Sequence, residues 1–196
     1  VVISFAFTLW EVVFKRTHFT IICSETADLA EDHVASIGAE LTDNPRLRYD
    51  FRPRLARLRD GDLVVTGGAR VYARGAGQQL RGLKHKAKRP DRIVVDDIES
   101  DESARNPRRV KKILDWITGT VLSRFGRTGR LDLIGTIIDR RSALSTVIHA
   151  EEEPWMHWER RVYRAIRADG TSFWPAQYPI AELEALYRLG WRGPVF

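Results

Sequence analysis

The residues best suited to chemistry form an acidic cluster directly after a short apolar run, residues 93–95 (Ile-Val-Val). In open α/β sheets, ligands bind outside the carboxyl ends of the strands, where a carboxylate can hold Mg²⁺ against a phosphate. A neighbouring carboxylate can orient or deprotonate an attacking water. The alternative is an acidic turn before a helix N-terminus, where Asp and Glu are favoured. The cluster has five carboxylates within seven residues: Asp96, Asp97, Glu99, Asp101 and Glu102.

Two further features accompany the acidic cluster. A second apolar run, residues 131–136, ends in Gly135 and Thr136. A Thr hydroxyl at a strand end can sense a γ-phosphate or a water through one hydrogen bond, although an ordinary exit from a strand has the same composition. A basic stretch precedes the acidic strand, and a solvated loop is its alternative interpretation. Its members are Arg81, Lys84, His85, Lys86, Lys88 and Arg89.

Composition excludes several protein classes. The chain has 196 residues, 43% of them hydrophobic and 30% charged, which excludes a disordered or collagen-like protein. Its net charge of +6 fits a polyanionic partner such as nucleic acid or nucleotide phosphates. Cys23 is the single cysteine, so an internal disulfide and a cysteine-based zinc site are excluded. The apolar residues 1–14 are too short to span a bilayer and contain Glu11.

Short apolar runs alternate with helical patterns, which predicts one α/β domain over residues 1–196 with a mostly parallel sheet flanked by helices. Residues 42–59 are charged and contain prolines, and no element is predicted there. The predicted strands are 19–23, 63–66, 70–73, 93–95, 131–136 and 162–166. The predicted helices are a buried helix over 4–16, a helix capped by Ser24, one beginning at Asn106-Pro107, and two over 142–149 and 179–189.

Taken in order, these segments resemble the ATPase domain of the large terminase subunit of tailed bacteriophages, the motor that packages DNA into procapsids. The resemblance covers nearly the whole chain. The segments that carry it are SFAFTLWEVVF (4–14), TIICSETADLAEDHV (20–34), GQQLRGLKHKAKRPDRIVVDDIES (77–100), NPRRVKKILDWITGTVL (106–122), LDLIGTIID (131–139) and WPAQYPIAELEALY (174–187).

The resemblance implies a P-loop NTPase fold of the additional-strand catalytic-glutamate type, with ATP and Mg²⁺ as cofactors. Asp96 matches the Walker B aspartate that helps to hold Mg²⁺. Asp97 stands where the family usually has its catalytic Glu, one methylene longer, so the general base is either Asp97 or Glu99. Gly135 and Thr136 match the coupling motif that links hydrolysis to movement.

The resemblance also implies an arginine that reaches the transition state from a neighbouring subunit. Arg81-Gly82 matches the family's RG element and is assigned to nucleotide binding. Arg140 and Arg141 are the other candidates for this arginine.

Two departures from the family pattern concern nucleotide binding and domain content. No G-x-x-x-x-G-K-[ST] occurs in the sequence. The resemblance places the phosphate loop and its strand before Val1, and the nuclease domain that normally follows is absent. We therefore expect the isolated chain to have no detectable ATP hydrolysis.

The partners that the resemblance implies are double-stranded DNA, the small terminase subunit and further copies in a ring on the portal, within the host cytoplasm and without a membrane. Two other functions remain open from the residues alone. A metal-dependent nuclease would use Asp96, Asp97 and Glu99 as a two-metal cluster. A nucleic-acid-binding module without catalysis would use the basic stretch. His18 and His33 carry no functional signal in the sequence.

Overall fold

A six-stranded sheet forms the centre of the computed structural model, which describes residues 2–125 and 129–189. Its strand order is β2-β3-β4-β1-β5-β6. Strands β4, β1, β5 and β6 are parallel, whereas β2 and β3 pair antiparallel at one edge. This confirms a mostly parallel α/β sheet, compatible with a Rossmann-like or P-loop-like fold. The strands are β1 (Phe19–Ser24), β2 (Leu55–Arg59), β3 (Asp62–Val65), β4 (Arg70–Gly75), β5 (Arg92–Asp96) and β6 (Arg130–Ile134).

Helices cover both faces of the sheet. A π-helical turn, Val2–Phe7, leads into the first helix. The fifth helix continues as a π-helical turn, Ile117–Val121, and a short 3-10 helix, Leu122–Arg124. The α-helices are α1 (Thr8–Val13), α2 (Ala27–Asp43), α3 (Pro45–Phe51), α4 (Asp101–Ala104), α5 (Pro107–Trp116), α6 (Ala143–His149) and α7 (Ile180–Arg188).

The central strands are apolar on both faces because each face has its own core. Ile22 and Val94 pack with α1 and α2 in one core, together with Val34 of α2. Ile21 and Val95, one position away on the same strands, point to the opposite core. Alternate residues of a strand face opposite sides, so continuous apolar runs are what a sheet covered on both faces requires.

The second core lies under the α5 side of the sheet. Trp116 and Ile117, at the end of α5, pack there with Val147 of α6 and with Cys23. The indole Nε1–H of Trp116 donates to the carbonyl oxygen of Gln78 at 2.9 Å, which satisfies the one polar group of that buried ring.

The predicted helix starts agree with the structure at two places and differ at a third. The Asn106 side chain caps α5 by accepting from the N–H groups of Arg108 and Arg109, with Pro107 at the first helical position. Ser142 caps α6. The cap of α2 is Thr26, and the prediction of Ser24 is wrong because Ser24 still belongs to β1.

The composition of the N-terminal segment predicted a helix buried on all sides, and this prediction is wrong. Trp10 is 41% exposed and Phe14 50% exposed, on the side away from the sheet. These side chains partly cover one another, with ring centroids 5.4 Å apart, and Phe51 stacks edge-on against Phe14 at 5.1 Å. Since helix α1 has the sheet on one side only, its remaining aromatic groups stay at the surface.

Residues 42–59 contain two elements that were not predicted, and residues 162–166 lack the predicted strand. Helix α3 begins after Asn44, which accepts from two backbone N–H groups, so its start has the same Asn-Pro signature as α5. Strand β2 is an exposed edge strand without an apolar face. Residues 162–166 form only an isolated bridge between Ile166 and Ser172. Val162 and Tyr163 are exposed, and no strand within residues 2–125 and 129–189 pairs with them.

Across the described ranges, none of the helices combines the length and apolar character that crossing a membrane would require.

Candidate active site

The strand end that carries Asp96 and the strand end that precedes Gly135 lie side by side at one edge of the sheet. Strands β5 and β6 are parallel neighbours, and Asp96 pairs in register with Ile134. Asp97 and Gly135 therefore leave the sheet side by side. Strand β1 lies on the other side of β5 and ends at Ser24 on the same edge. This edge is where ligands bind in open α/β sheets.

The backbone of Asp97 is held in an unusual conformation between two neighbouring segments. Its φ angle is 43°, in the left-handed region that non-glycine residues seldom adopt. Its N–H donates to the carbonyl oxygen of Ile134 at 3.2 Å, and its own carbonyl accepts from the N–H of Glu25 at 3.2 Å. Such conformations persist only where surrounding contacts enforce them, and they concentrate at functional sites.

Gly135 leaves the space that the Asp97 carboxylate occupies. A Cβ at Gly135 would lie 3.3 Å from Asp97 Oδ1 and 3.5 Å from a methyl carbon of Leu144. The first distance is shorter than most Cβ contacts in proteins, and the second is an ordinary van der Waals contact. A larger residue at this position would push against the carboxylate, so glycine allows the two strand ends to approach.

The two adjacent carboxylates differ in their surroundings. Asp96 is only 5% exposed, whereas Asp97 lies at the surface with its carboxyl partly surrounded by protein. This partial burial raises the pKa of Asp97, and the negative charge of Asp96 raises it further, while His33 opposes both effects. A raised pKa brings a carboxylate closer to the range in which it can accept a proton during catalysis.

Asp96 has its closest ionic neighbour in His33 of α2, whose Nε2 lies 3.9 Å from Asp96 Oδ2. That distance is too long for a hydrogen bond, so the carboxylate oxygens of Asp96 keep their capacity for another ligand. The Ser24 hydroxyl, at the end of the neighbouring β1, is buried and has no hydrogen-bond partner in the described part of the chain.

Glu99 is hydrogen-bonded to the backbone of helix α6. Its Oε1 accepts from the N–H of Ala143 at 2.7 Å, and its Oε2 accepts from the N–H of Leu144 at 3.1 Å. Both carboxylate oxygens thereby satisfy free N–H groups in the first turn of α6, where a negative charge is favoured. Glu99 connects the acidic loop to α6.

The last two carboxylates of the cluster match the simpler interpretation of an acidic helix start. Asp101 and Glu102 form the first turn of α4, which Ser100 caps. Their side chains are 80% and 81% exposed, and they lie near Arg105 and Arg109 respectively. The five acids therefore divide between the sheet edge, the cap of α6 and the first turn of α4.

The remaining predicted residues lie at the surface or partly below it. Thr136 is half-buried, two residues beyond the register partner of Asp96, and its hydroxyl has no hydrogen bond within the described residues. Arg81 is exposed in the loop between β4 and β5. Arg140 lines a surface cavity beside α6, and Arg141 pairs with Asp139 at 3.3 Å.

Two residues near the site carried no signal in the sequence. His33 is 63 positions from Asp96, and only the packing of α2 on the sheet brings the two side chains together. Ser24 looked like a helix cap because it precedes an acidic helical segment. Its position at the carboxyl end of a strand beside β5 would have pointed to the site, had the strand order been known.

The acidic side chains at this edge do not form a complete metal-binding set among the residues that the structure describes. Among residues 2–125 and 129–189, no three side chains of His, Cys, Asp or Glu come together as a set that would hold a metal ion alone. Asp96, Asp97 and Glu99 do not converge on one point, because Glu99 is directed to the backbone of α6.

Comparison with known proteins adds no family to these observations. No protein-family model matches the chain, and no curated protein matches it.

Proposed function

We propose that this chain is part of the ATPase domain of a bacteriophage large terminase subunit, in which ATP hydrolysis drives double-stranded DNA into a procapsid. The observation that carries the proposal is the approach of Asp97 to Gly135 at the carboxyl edge of two parallel strands. It brings a carboxylate of raised pKa next to the start of the segment that the resemblance identifies as the coupling motif.

The strand order supports the finer fold assignment, a P-loop NTPase of the additional-strand type. The acidic strand β5 lies between β1 and β6, and β6 is at the sheet edge. Within the described residues, no strand pairs with the outer side of β6. That side is open to a further parallel strand, the place where a strand carrying a phosphate loop would join the sheet.

The residues present at the site fit Mg²⁺ and a triphosphate. Bound ATP with Mg²⁺ supplies the phosphoanhydride whose cleavage releases the energy for movement. Asp96 would hold the metal, because its carboxylate oxygens are hard ligands without a hydrogen-bonding partner in the described residues. Thr136 would donate its hydroxyl proton to a phosphate oxygen or a water.

Asp97 is the better candidate for the general base. Its carboxylate has no hydrogen bond within the described residues, and its pKa is raised. Glu99 already accepts two hydrogen bonds from α6, so taking a proton from water would weaken the cap of that helix. Glu99 would instead hold α6 against the acidic loop.

The proposal extends to partners and location. The motor would act as a ring of copies on the portal, with the small terminase subunit and double-stranded DNA, in the host cytoplasm. An arginine from a neighbouring copy would complete the site. Arg81, Arg140 and Arg141 are the candidates, and Arg81 and Arg140 have no ion-pair partner in the described residues.

A metal-dependent nuclease has less support. Two-metal cleavage requires carboxylates that surround two ions about 4 Å apart. The third carboxylate that such a site would use, Glu99, has both oxygens bonded to α6.

The test is Mg²⁺-dependent phosphate release from ATP by the protein expressed from its complete reading frame. Asp96→Ala and Asp97→Asn should each lower the rate by at least about 100-fold, the usual contribution of a metal ligand or a general base. Asp101→Asn removes a neighbouring but exposed carboxylate of α4 and should leave the rate unchanged. Equal turnover in all four proteins, or DNA cleavage without ATP, would overturn the proposal.

A further inference from the structure

Charge is separated along the strand direction of the sheet. The carboxyl edge carries the acidic cluster described above. The opposite, amino edge carries eight exposed basic residues without an ion pair in the described part of the chain, which we call the basic edge. It includes the two residues that end the α1 segment before β1, two that precede β2, and four that precede β5. They are Lys15, Arg16, Arg52, Arg54, Lys84, Lys86, Lys88 and Arg89.

Pairing within the sheet places these groups at the same end of the strands. Strands β1 and β5 are parallel, so the segments that enter them lie side by side. Strand β2 starts at Leu55, which pairs with Val65 at the end of β3, and Val64 pairs with Arg70 at the start of β4. The segment before β2 therefore reaches the same edge as the starts of β1, β4 and β5.

The most prominent part of the basic edge is a tight hairpin, residues 84–89. The backbone N–H and carbonyl groups of His85 and Lys88 exchange two hydrogen bonds of 3.0 Å. Lys86 and Ala87, between them, have φ angles of 47° and 65°, as a two-residue turn of this kind requires. The turn places basic side chains on both sides of its tip.

The hairpin is anchored to the strands beneath it. The guanidinium of Arg70 donates to the carbonyl oxygen of Lys84 at 3.0 Å. His18 Nε2 lies 2.9 Å from the carbonyl oxygen of His85, and the two imidazole rings are in contact, with centroids 4.9 Å apart and planes tilted by 38°. His85 Nε2 also lies 3.2 Å from the carbonyl oxygen of Gly68. These contacts hold the hairpin backbone in place, which lowers the entropy cost of ordering this loop when a partner binds.

Gly68 joins the hairpin to a neighbouring groove. The groove encloses about 190 Å³, and its lining includes Gly68, Lys15, Arg52 and Arg54. The basic edge is therefore one continuous surface that runs from the hairpin, across the β3–β4 turn, to the end of α1.

The cations of the basic edge are free to bind a partner. None of the eight has an ion pair within the described residues. The carboxylate of Asp91, at the start of β5, instead accepts hydrogen bonds from Thr17, His18 and Phe19. Asp62 pairs with Arg57 and Arg70.

We propose that the basic edge binds the sugar–phosphate backbone of double-stranded nucleic acid without reading its sequence; the role of this contact in translocation rests on the proposed function. Lysines predominate in the hairpin, and a lysine contacts phosphate as a point charge. The hairpin has no Asn or Gln that would read adenine. Its one aromatic ring, His85, packs against the ring of His18, so it offers no open platform for unpaired bases.

The position of the basic edge also keeps bound nucleic acid away from the proposed nucleotide site. Nucleic acid at the amino edge lies at the far end of the strands from Asp96 and Asp97. Its phosphates would neither compete for the nucleotide site nor be repelled by the acidic cluster. An anionic bilayer is a poorer partner, because the hairpin carries no large apolar side chain to insert next to its lysines. The exposed rings of Phe14 and Phe51, near the other end of the basic edge, pack edge-on against each other.

The test measures the affinity of the protein for a fluorescent duplex of about 30 base pairs at several salt concentrations. The triple variant Lys86→Ala/Lys88→Ala/Arg89→Ala removes three cations from the hairpin. The slope of log K against log salt should become less steep by about 2 to 3, and affinity near physiological salt should fall at least about tenfold. Two duplexes of different sequence should respond alike.

The matched control removes three exposed cations from the α4–α5 region, Arg105→Ala/Arg108→Ala/Lys112→Ala. This variant has the same net charge as the hairpin variant and should bind almost normally. Equal losses in the two variants would overturn the proposal, since they would show only an effect of total charge. Stronger binding to phosphatidylserine vesicles, or to single strands, than to the duplex would overturn it as well.

ATP turnover separates this inference from the proposed function. If duplex binding depends on the hairpin but ATP turnover does not depend on Asp96, the nucleic-acid surface is supported and the proposed motor function is overturned. If ATP turnover depends on Asp96 but duplex binding does not depend on the hairpin, the proposed ATPase is supported and the nucleic-acid surface is overturned.

Discussion

Glu99 accepts a hydrogen bond through its Oε1 from the backbone N–H of Ala143 at 2.7 Å, although the two residues are 44 positions apart. Its Oε2 accepts from the next N–H, that of Leu144. Glu99, one of the two candidate general bases, is therefore engaged in hydrogen bonds to the first turn of α6. This leaves Asp97, beside Gly135, as the carboxylate available for chemistry.

The first prediction separates the two carboxylates by kinetics. Asp97→Asn should lower kcat for ATP at least about 100-fold, because an amide cannot accept a proton from water. Glu99→Gln should keep kcat within about tenfold, since a glutamine oxygen still accepts one of the two hydrogen bonds. The measurement is steady-state phosphate release by protein from the complete reading frame. The assignment fails if Glu99→Gln is the more damaging substitution.

The second prediction concerns stability at the same site. The folded protein raises the pKa of Asp97, so its ionised form is less favourable folded than unfolded. Asp97→Asn should therefore stabilise the fold at neutral pH, by less than about 1 kcal/mol because the group is exposed to solvent. Asparagine also tolerates the left-handed backbone at this position.

The sign of this effect gives its pH dependence. Wild-type Asp97 has a folded pKa above its unfolded pKa, so its penalty is absent below the unfolded value and develops as pH rises through the folded value. The advantage of Asp97→Asn should then disappear near pH 3 to 4. Urea unfolding at neutral and acid pH measures it, and an advantage that grows as the pH falls would contradict the prediction.

The third prediction concerns Asp62, the first residue of β3. Burial by itself would raise the pKa of Asp62, but hydrogen bonds from Arg70 and Arg57 outweigh it and hold the pKa below its usual value. Asp62→Asn should cost about 1 to 3 kcal/mol at neutral pH, because two arginines lose their charged partner. A depressed pKa stabilises the fold above the unfolded value and loses this contribution as pH falls through the folded value.

The expected difference between wild type and Asp62→Asn therefore shrinks below about pH 4, in the same acid range where the advantage of Asp97→Asn disappears. Chemical denaturation across this range measures both. A cost for Asp62→Asn that stays constant down to pH 2 would show that the ion pairs with Arg57 and Arg70 contribute nothing.

The fourth prediction concerns the buried Arg92, which ties the N-terminal helix to the sheet. Its side chain is 3% exposed and donates to Glu11 at 2.8 Å, Thr8 at 2.7 Å and Asp132 at 2.8 Å. Arg92→Ala should destabilise the protein by about 3 to 5 kcal/mol, because it leaves buried polar partners without a cation.

Arg130 provides the matched control for Arg92. It contacts the same two carboxylates, Glu11 at 3.2 Å and Asp132 at 3.3 Å, but its side chain is 45% exposed. Arg130→Ala should cost no more than about 1 kcal/mol, as is usual for an ion pair in solvent. Thermal unfolding of the two variants compares the costs, and similar values would show that burial does not decide them.

Local rules predicted much of the fold. The apolar runs that became β1 and β5 are readable because a strand covered on both faces is apolar at successive positions. The Asn106-Pro107 start of α5 is readable because it satisfies free N–H groups within three residues. The same Asn-Pro signature, at Asn44-Pro45, marks the start of α3.

Local rules could not predict the elements whose stability depends on distant partners. Strand β2 is exposed and exists because it pairs with β3, whereas residues 162–166 have strand-like composition but pair with none of the strands in the described part of the chain. Composition likewise predicted a fully buried N-terminal helix, although helix α1 has a sheet on one side only.

By itself, the sequence determined that a buried apolar run leads into Asp96 and Asp97, that a second run ends in Gly135 and Thr136, and that the chain is basic. Only the tertiary structure decided that Glu99 caps α6, that His33 lies near Asp96, and that the basic residues gather at the amino edge. The reason is physical. Strand and cap preferences act over a few residues, whereas these contacts depend on strand order and helix packing, which bring together groups separated by tens of residues.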